Sequence, residues 1–416
     1  MFQRHIATAV EVALRDTPVV LLNGARRTGK TTLVQAHTAG LAGARYVTLD
    51  DAATLAAAKT DPDAFVAAGG RPFVIDEVQR APELFRAMKL VVDRSRTPGR
   101  FLLTGSANVL SLPRLSESLA GRMEIQTLWP LSQGEIEGPR DGFVDAVFAR
   151  QLPAYPGKGE GRESLLRRVL TGGFPEAQAR DAERSGAWFD GYVTTLSQRD
   201  VRDLASIEGL MHLPRLLSLL AARVGGLFNV SELSRATAIP GSTLARYLAL
   251  FEMTFILHKV QPWWTNLSKR LIKSPKVYLC DTGLVAHLCR VTLDRLLDDP
   301  GPAGPLVENF VAMELRKQAT WNRGRVGLFH FRTLTGQEVD FVLEGPNGAI
   351  VGVEVKAATA VKDSDFAGLR VLQEQAGKRF HRGVVLYAGR ESLPFGPRFH
   401  AIPIDALWRL GATRSR

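Results

Sequence analysis

The sequence has few cysteines and no long apolar run. Its 416 residues include only Cys280 and Cys289, too few for a disulfide framework or a four-cysteine zinc site. No window approaches the roughly 18 apolar residues of a membrane span, and the N-terminal stretch lacks the apolar core of a signal peptide. We therefore expect a protein of the reducing cytoplasm with no membrane partner.

Acidic residues are also scarce relative to basic ones. The chain has 53 Lys and Arg against 42 Asp and Glu, a net charge of +11. Residues 211–290 contain ten of the basic residues and only three acidic ones. This excess permits an anionic partner such as nucleic acid, although solubility alone would also explain it.

Short apolar runs without polar alternation indicate strands that are buried on both faces of a parallel sheet. They lie at residues 18–22, 45–49, 72–75 and 100–103. The segments between them, 30–38, 51–68 and 82–95, have the length of helices. This alternation predicts an α/β domain with right-handed crossovers.

Breaks rich in Gly and Pro divide the rest of the chain. Residues 137–162 are predicted to be a loop or hinge, helical patterning resumes at 163–222, and 298–305 form a second break. We predict four parts: a nucleotide-binding core (1–136), a hinge and helical lid region (137–210), a basic segment (211–297) and a last α/β domain (298–416).

The first predicted strand continues into GARRTGKTTLVQ, which has the spacing of a phosphate-binding loop, G-x-x-x-x-G-K-[ST]. Glycines allow main-chain N–H groups to surround a polyphosphate, and the following helix presents its positive end. Lys30 would reach the β- and γ-phosphates, Thr31 would ligate Mg²⁺, and Thr32 would help to start the helix. The predicted nucleotide-binding residues are Gly24, Ala25, Arg26, Arg27, Thr28, Gly29, Lys30, Thr31 and Thr32.

Acidic and hydroxyl residues end two other predicted strands. PFVIDE ends in Asp76, which would hold Mg²⁺, and in Glu77, which would orient the attacking water; the alternative is two solvated acids. In LLTGS, either Thr104 or Ser106 would sense the γ-phosphate. Together these residues predict a nucleoside triphosphatase.

The basic segment has the pattern of a winged helix-turn-helix. Ser231 is a candidate N-cap of a short helix, and a second helix is predicted from Ser242. Ser242, Thr243 and Arg246 would face a groove of DNA. Further contacts with phosphates are expected from Lys259, Lys269, Arg270, Lys273 and Lys276. The alternative is a lid or a protein-docking surface.

The stretch GQEVDFVLEGPNGAIVGVEVKAA places charged residues on two predicted strands. A turn at 345–348 would make the strands antiparallel and bring Asp340 near Glu354. Two such close carboxylates are commonly held by a hard divalent cation, Mg²⁺ or Mn²⁺, and Lys356 would then stabilise charge on a phosphodiester. The alternative is an ordinary Glu–Lys pair on an exposed strand.

These motifs in this order resemble the prokaryotic predicted ATPases of the AAA+ superfamily, which carry a C-terminal domain of unknown function. GARRTGKTTL, FVIDEVQRAPELF, LLTGSAN, GGFPE, VYLCDTGL and PLVENFVAMEL carry the resemblance. It implies nucleotide and Mg²⁺ roles for Lys30, Thr31, Asp76 and Glu77. It also implies an arginine finger at Arg122 in LAGR, with Arg199 competing. A finger that reaches a neighbour's site would require a homo-oligomer.

The spacing D-x13-E-x-K resembles the active-site signature of the restriction-endonuclease-like fold. That resemblance implies one more acid from an earlier helix, at Glu308, so that Glu308, Asp340 and Glu354 would hold the metal.

The whole pattern predicts Mg²⁺-dependent ATP binding and hydrolysis, coupled to a conformational change of the C-terminal half that acts on DNA. Two alternatives stay open. One is an ATP-responsive DNA-binding regulator with little turnover, and the other is an ATP-gated, metal-dependent nuclease.

Overall fold

The protein forms two compact units in its computed structural model, which describes residues 2–39, 41, 43–106, 119–155, 157–196, 212–264, 274–299 and 301–411. The N-terminal unit consists of Gln3–Pro130 and Phe251–Ile256. The C-terminal unit consists of Met1–Phe2, Leu131–Leu250 and Leu257–Arg416. Within the described ranges, none of the helices has both the length and the apolar character needed to cross a membrane.

A five-stranded parallel sheet forms the centre of the N-terminal unit, with the strand order β2-β3-β4-β1-β5. The strands are β1 (Val19–Asn23), β2 (Arg45–Thr48), β3 (Phe73–Asp76), β4 (Phe101–Gly105) and β5 (Met123–Thr127). The first four confirm the strands expected from apolar runs. The edge strand β5 was not predicted, because its residues are partly exposed and form no apolar run.

Among the described residues, α1 (Ala7–Asp16) precedes β1, and the strands are connected by α2 (Lys30–Thr38), α3 (Ala52–Thr60), α4 (Pro62–Ala67) and α5 (Leu84–Arg94). The helix predicted at 51–68 is interrupted at Asp61, whose side chain accepts a hydrogen bond from the N–H of Ala64 and so caps α4. Because Pro62 favours a first helical position, the chain restarts a helix here.

The C-terminal unit is built on an eight-stranded mixed sheet with the order β12-β13-β11-β10-β9-β8-β6-β7. Its strands are β6 (Leu257–Pro262), β7 (Lys276–Leu279), β8 (Gly327–Arg332), β9 (Glu338–Glu344), β10 (Ile350–Lys356), β11 (Phe380–Tyr387), β12 (Leu393–Pro394) and β13 (Phe399–Pro403). Strands β8, β9 and β10 form an antiparallel meander, which β11 extends in parallel. Since β6 pairs with β8, the break predicted at 298–305 lies between strands of one sheet.

Helices cover this sheet and form the rest of the unit. They are α6 (Gln133–Glu137), α7 (Phe143–Phe148), α8 (Arg162–Thr171), α9 (Pro175–Gln178), α10 (Ala182–Thr195), α11 (Leu213–Ala221), α12 (Val230–Thr237), α13 (Gly241–Met253), α14 (Thr282–Cys289), α15 (Leu293–Asp298), α16 (Ala303–Gln318), α17 (Ala367–Ala376) and α18 (Ala406–Arg409). The segment predicted as a loop or hinge, 137–162, therefore contains α7. The cap predicted at Ser231 was wrong, because Asn229 accepts from the N–H of Glu232 and caps α12.

Candidate functional sites

Two glycines shape the loop between β1 and α2. Gly24 has a φ of +145°, and a Cβ atom there would lie 2.1 Å from the carbonyl oxygen of Leu128. Gly29 has a φ of +94° and directly precedes α2. Side chains would block the first position and strain the second, so this backbone path requires glycine.

Lys30 lies across its own loop and is 5% exposed. Its Nζ donates to the carbonyl oxygens of Gly24 at 3.0 Å and Ala25 at 2.9 Å. Arg4, which no sequence motif marked, holds the loop from outside: its Nη1 donates to the Thr28 carbonyl oxygen and its Nη2 to that of Trp129, each at 2.6 Å. The lysine is thus fixed at the start of α2.

The start of α2 suits a phosphate. Its N-cap, Gly29, offers no side-chain hydrogen bond to the first turn, and an α-helix begins with N–H groups that have no intrahelical acceptor. Arg27 and Thr32 are exposed beside this turn, whereas Arg26 and Thr31 are partly buried. A helix N-terminus, a glycine-dependent loop and a lysine together fit a polyphosphate.

Hydroxyl groups surround the carboxylate of Asp76, which is 3% exposed. Thr31 Oγ1 donates to Oδ2 at 2.9 Å, Tyr46 OH donates to the same oxygen at 3.0 Å, and Thr104 Oγ1 donates to Oδ1. Burial and the Asp76 charge raise the pKa of Tyr46 to about 12, so its hydroxyl keeps its proton at neutral pH. Among the described residues, none that is cationic forms a salt bridge with Asp76. A carboxylate beside a threonine hydroxyl, with no cationic side chain paired to it, fits Mg²⁺.

Glu77 follows Asp76 in a left-handed conformation, with a φ of +58°. Its main-chain N–H donates to Thr104 Oγ1 at 3.1 Å. Its carboxylate accepts from Ser106 Oγ at 3.0 Å and from Gln79 Nε2. A non-glycine residue here costs about 1 kcal/mol, and such strain concentrates at functional positions. Of the two predicted γ-phosphate sensors, Thr104 therefore contacts Asp76 and Ser106 contacts Glu77.

Arg122 lies far from this loop. Its carbonyl oxygen accepts from the N–H of Val19, at the beginning of β1, whereas the loop follows Asn23, at the end of β1. Four residue steps along a strand span about 13 Å. Its guanidinium pairs with Asp93 at 2.5 Å. The competing candidate, Arg199, lies outside the described residues.

The predicted C-terminal site residues come together in one buried network. The antiparallel register pairs Val353 with Phe341, and its continuation brings Asp340 opposite Glu354. The main-chain N–H of Asp340 donates to Glu354 Oε2 at 3.4 Å. Lys356 Nζ donates to Glu354 Oε1 at 2.8 Å.

Lys276, on β7, joins the other two acids of this network. Its Nζ lies 2.9 Å from Glu308 Oε1 and 3.0 Å from Asp340 Oδ1. The hydroxyl of Tyr278 also donates to Glu308 Oε1, at 2.7 Å, and the main-chain N–H of Val355 donates to Asp340 Oδ2 at 3.0 Å. Lys276 was predicted to contact phosphate from the surface. That prediction was wrong, because the residue is 3% exposed.

Burial and mutual repulsion raise the pKa values of the two glutamates. Burial and then the charge of Asp340 raise the pKa of Glu308 to about 7 and that of Glu354 to about 8. Burial works against the charge of Lys276, but Asp340 and Glu308 outweigh it and raise the lysine's pKa above its usual value. The ammonium group therefore stays charged at neutral pH.

These acids do not fit a divalent cation as arranged. Lys276 already supplies a positive charge between Glu308 and Asp340, and Lys356 neutralises Glu354. Across the described ranges, no group of three or more acidic, histidine or cysteine side chains has the arrangement of a metal site.

The predicted DNA-facing residues are only partly at the surface. Ser242 and Arg246 are exposed on α13, and Thr243 is partly buried. Lys259 Nζ lies 5.3 Å from the centre of the Phe228 ring. Lys269, Arg270 and Lys273 lie outside the described residues.

A second basic surface lies at the start of β11. It is an open cavity of about 560 Å³. It is lined by Arg150, Asn347, Ala349, Lys378, Arg379, Phe380, His381, Arg382, Pro397 and Arg398. Arg382 is buried and donates to the carbonyl oxygens of Val147 and Ala149. No motif pointed to this basic cavity, because its residues come from four separate segments.

Three known domain families match successive parts of the chain. An AAA domain matches residues 16–137, a domain of unknown function (DUF8612) matches 162–295, and another domain of unknown function (DUF4143) matches 303–407. The expected resemblance to AAA-type ATPases is confirmed for the N-terminal part, and a C-terminal domain of unknown function is confirmed as well.

Whole-chain relatives exist in mycobacteria. Uncharacterised proteins of Mycobacterium tuberculosis and Mycobacterium bovis are each 32% identical over 99% of this chain and 85% of their own length. An uncharacterised protein of Haemophilus influenzae is 25% identical over 52% of both chains. A solved structure, the Walker-type ATPase PABY2304 of Pyrococcus abyssi, aligns with 69% of this chain and 96% of its own at 14% identity and a TM-score of 0.42. The chain belongs to the family of the two mycobacterial proteins, and in it an AAA domain precedes two domains of unknown function.

Proposed function

We propose that the chain binds ATP with Mg²⁺ and hydrolyses it in the N-terminal unit. The observation that carries this proposal is the hydrogen bond between Thr31 and Asp76, which joins the first turn of the helix after the loop to the end of β3. It brings a hydroxyl and a carboxylate together beside a loop that fits a polyphosphate.

The residues take distinct roles in this proposal. Lys30 would bind the β- and γ-phosphates, and Glu77, held by Ser106, would orient the attacking water. Thr31 and Asp76 would hold Mg²⁺, which neutralises charge on the phosphates when bound. Thr104 contacts both Asp76 and the main chain of Glu77, so it would couple the two acids during γ-phosphate release.

Lys30→Ala tests the proposal, with Lys59→Ala as the matched control on the exposed surface of α3. Phosphate release and the ATP-dependent rise in melting temperature are measured with and without Mg²⁺. Lys59→Ala should behave as the wild type, and Lys30→Ala should lose both signals. An unchanged ATP affinity in Lys30→Ala would refute the assignment.

Arg122 supports an oligomeric ATPase, because it lies about 13 Å along the sheet from its own loop. We propose that it serves a neighbouring copy. A mixture of Lys30→Ala and Arg122→Ala proteins should then regain phosphate release, because some interfaces combine an intact loop with an intact finger. If the mixture stays as inactive as each variant alone, Arg122 does not act between copies.

The path of the chain supports coupling of ATP hydrolysis to the C-terminal unit. Phe251–Ile256 belongs to the N-terminal unit, yet both its neighbours, Leu250 and Leu257, belong to the C-terminal unit. A change in the N-terminal unit would therefore act directly on the chain that enters β6. Phosphate release with and without DNA separates a coupled ATPase from a regulator with little turnover.

Nucleic acid is the second candidate ligand, and the basic cavity favours it. In the part of the chain that the structure describes, Arg150, Lys378, Arg382 and Arg398 pair with no carboxylate, and only Arg379 does, with Glu344 at 3.4 Å. Such uncompensated charges attract phosphates, mainly without regard to sequence.

Charge reversal separates this surface from the predicted winged helix. Duplex DNA binding is measured by fluorescence anisotropy between low and moderate salt for Arg398→Glu, Arg246→Glu and the control Lys59→Glu. If the basic cavity contacts DNA, only Arg398→Glu should weaken binding and flatten the salt dependence. Loss confined to Arg246→Glu would assign binding to the winged helix instead.

The third candidate, a nuclease of the restriction-endonuclease-like fold, rests on the resemblance of Asp340, Glu354 and Lys356 to its signature. An acid on a helix and acids on two antiparallel strands support it. The position of Lys276 argues against cleavage in the described conformation.

A further inference from the structure

Lys276 takes the position that a metal ion would need. A cation that bridges two carboxylates lies within a few ångströms of an oxygen from each, and Lys276 Nζ lies 2.9 Å and 3.0 Å from such oxygens. One oxygen belongs to α16 and the other to β9, while the lysine comes from β7. Three separate elements therefore meet at this ammonium group.

Three of the four other carboxylate oxygens of the network accept hydrogen bonds as well. The second oxygen of Asp340 accepts from the N–H of Val355, and both oxygens of Glu354 accept from Lys356 Nζ and the N–H of Asp340. On the other side, a Cβ atom on Gly225 would come 2.9 Å from Glu308 Oε2. A hydrated ion entering here would have to displace internal donors as well as the lysine.

Burial makes the two cations mutually exclusive. Lys276 is 3% exposed, so its charge is poorly screened by water. A divalent ion bound to the same carboxylates would repel the ammonium group strongly at this distance. Either the lysine or the metal can occupy the site.

We propose that Lys276 is a built-in cation that closes the C-terminal acid site to divalent metals, so that the chain becomes able to bind Mg²⁺ or Mn²⁺ there only when the lysine is removed or withdrawn. The inference concerns the C-terminal unit alone. Its test does not depend on whether the chain hydrolyses ATP.

Manganese titration of the full chain tests it. All proteins carry Asp76→Asn, which silences the candidate metal site of the N-terminal unit, and contain no nucleotide. Mn²⁺ binding is followed by calorimetry and by the electron paramagnetic resonance signal of the unbound ion. The variants are Lys276→Met, Lys276→Met with Asp340→Asn, Lys276→Arg, and Asp340→Asn alone.

Lys276→Met should bind one additional Mn²⁺ at least about tenfold more tightly than the parent, because two carboxylates lose their competing cation. Adding Asp340→Asn should abolish the gain, and Lys276→Arg should bind no more Mn²⁺ than the parent. If Lys276→Met does not fold, the parent decides the question. Mn²⁺ binding by the parent that Asp340→Asn removes would overturn the proposal, and its absence would support it.

Discussion

The two acid sites of this chain differ in what surrounds the carboxylate. Asp76 is held by the hydroxyl groups of Thr31, Tyr46 and Thr104, which are neutral. Asp340 and Glu308 are held by the ammonium group of Lys276. Both sites are buried and lie on strands or helices of an α/β unit, so composition alone does not separate them.

This difference decides which cation each site accepts. Hydroxyl groups donate hydrogen bonds to a carboxylate without cancelling its negative charge. A cation from solution is therefore still attracted to the carboxylate, and it can also bind the Thr31 hydroxyl. An internal ammonium group cancels the charge in advance. A pair of acids is therefore a poor indicator of a metal site unless the nearest cation within the protein is known.

The largest loss of stability is expected when the internal cation of the C-terminal site is removed. Lys276→Ala leaves two buried carboxylates facing one another, which should lower the free energy of unfolding by about 3–5 kcal/mol. Lys356→Ala is the comparison variant, because its side chain is 33% exposed and contacts one carboxylate, whereas Lys276 contacts two, so it should cost less than Lys276→Ala. Urea unfolding at neutral pH measures both. Equal losses in the two variants would mean that Lys276 is no more critical than the partly exposed Lys356.

Local sequence patterns were enough to predict the residues of the N-terminal site and most strands of its sheet. Gly24, Gly29, Lys30 and Thr31 lie within eight residues, and strands β1 to β4 coincide with the four predicted apolar runs. Edge strand β5 was missed because its residues are partly exposed and form no apolar run.

Contacts between segments that lie far apart along the chain could not be predicted from the sequence. Tyr46 contacts Asp76 across 30 residues and Arg4 contacts the loop across 24, and the sequence predicted no role for either. Lys276 was misinterpreted for the same reason. It follows a basic run, and its two acidic partners lie 32 and 64 residues further along the chain.

The next prediction tests Asp76 as a Mg²⁺ ligand in the N-terminal unit. Asp76→Asn keeps the side chain's shape but removes the charge that would attract Mg²⁺. We expect Mg²⁺-dependent phosphate release to fall at least about a hundredfold, because a catalytic metal contributes several kcal/mol to transition-state stabilisation. Asp50→Asn, which alters an exposed ion pair with Arg80, is the control and should retain its rate. A rate within about twofold of the wild type for Asp76→Asn would remove this carboxylate from the mechanism.

The smallest predicted effect concerns His330, a neighbour of Lys276 whose pKa the charge of that lysine helps to lower. His330, buried on β8, has its pKa lowered to about 4, first by burial and then by the charge of Lys276. Below about pH 6.5 the unfolded chain binds a proton at this histidine that the folded chain does not, so acid favours unfolding. Between pH 7.5 and 5.5 the wild type should therefore lose about 1.4 kcal/mol more than His330→Gln in its free energy of unfolding. Nothing comparable is expected at Asp76, which forms no salt bridge with a cationic residue in the part of the chain that the structure describes. Parallel pH profiles for wild type and His330→Gln in urea unfolding would show that neither burial nor the charge of Lys276 lowers the pKa of His330.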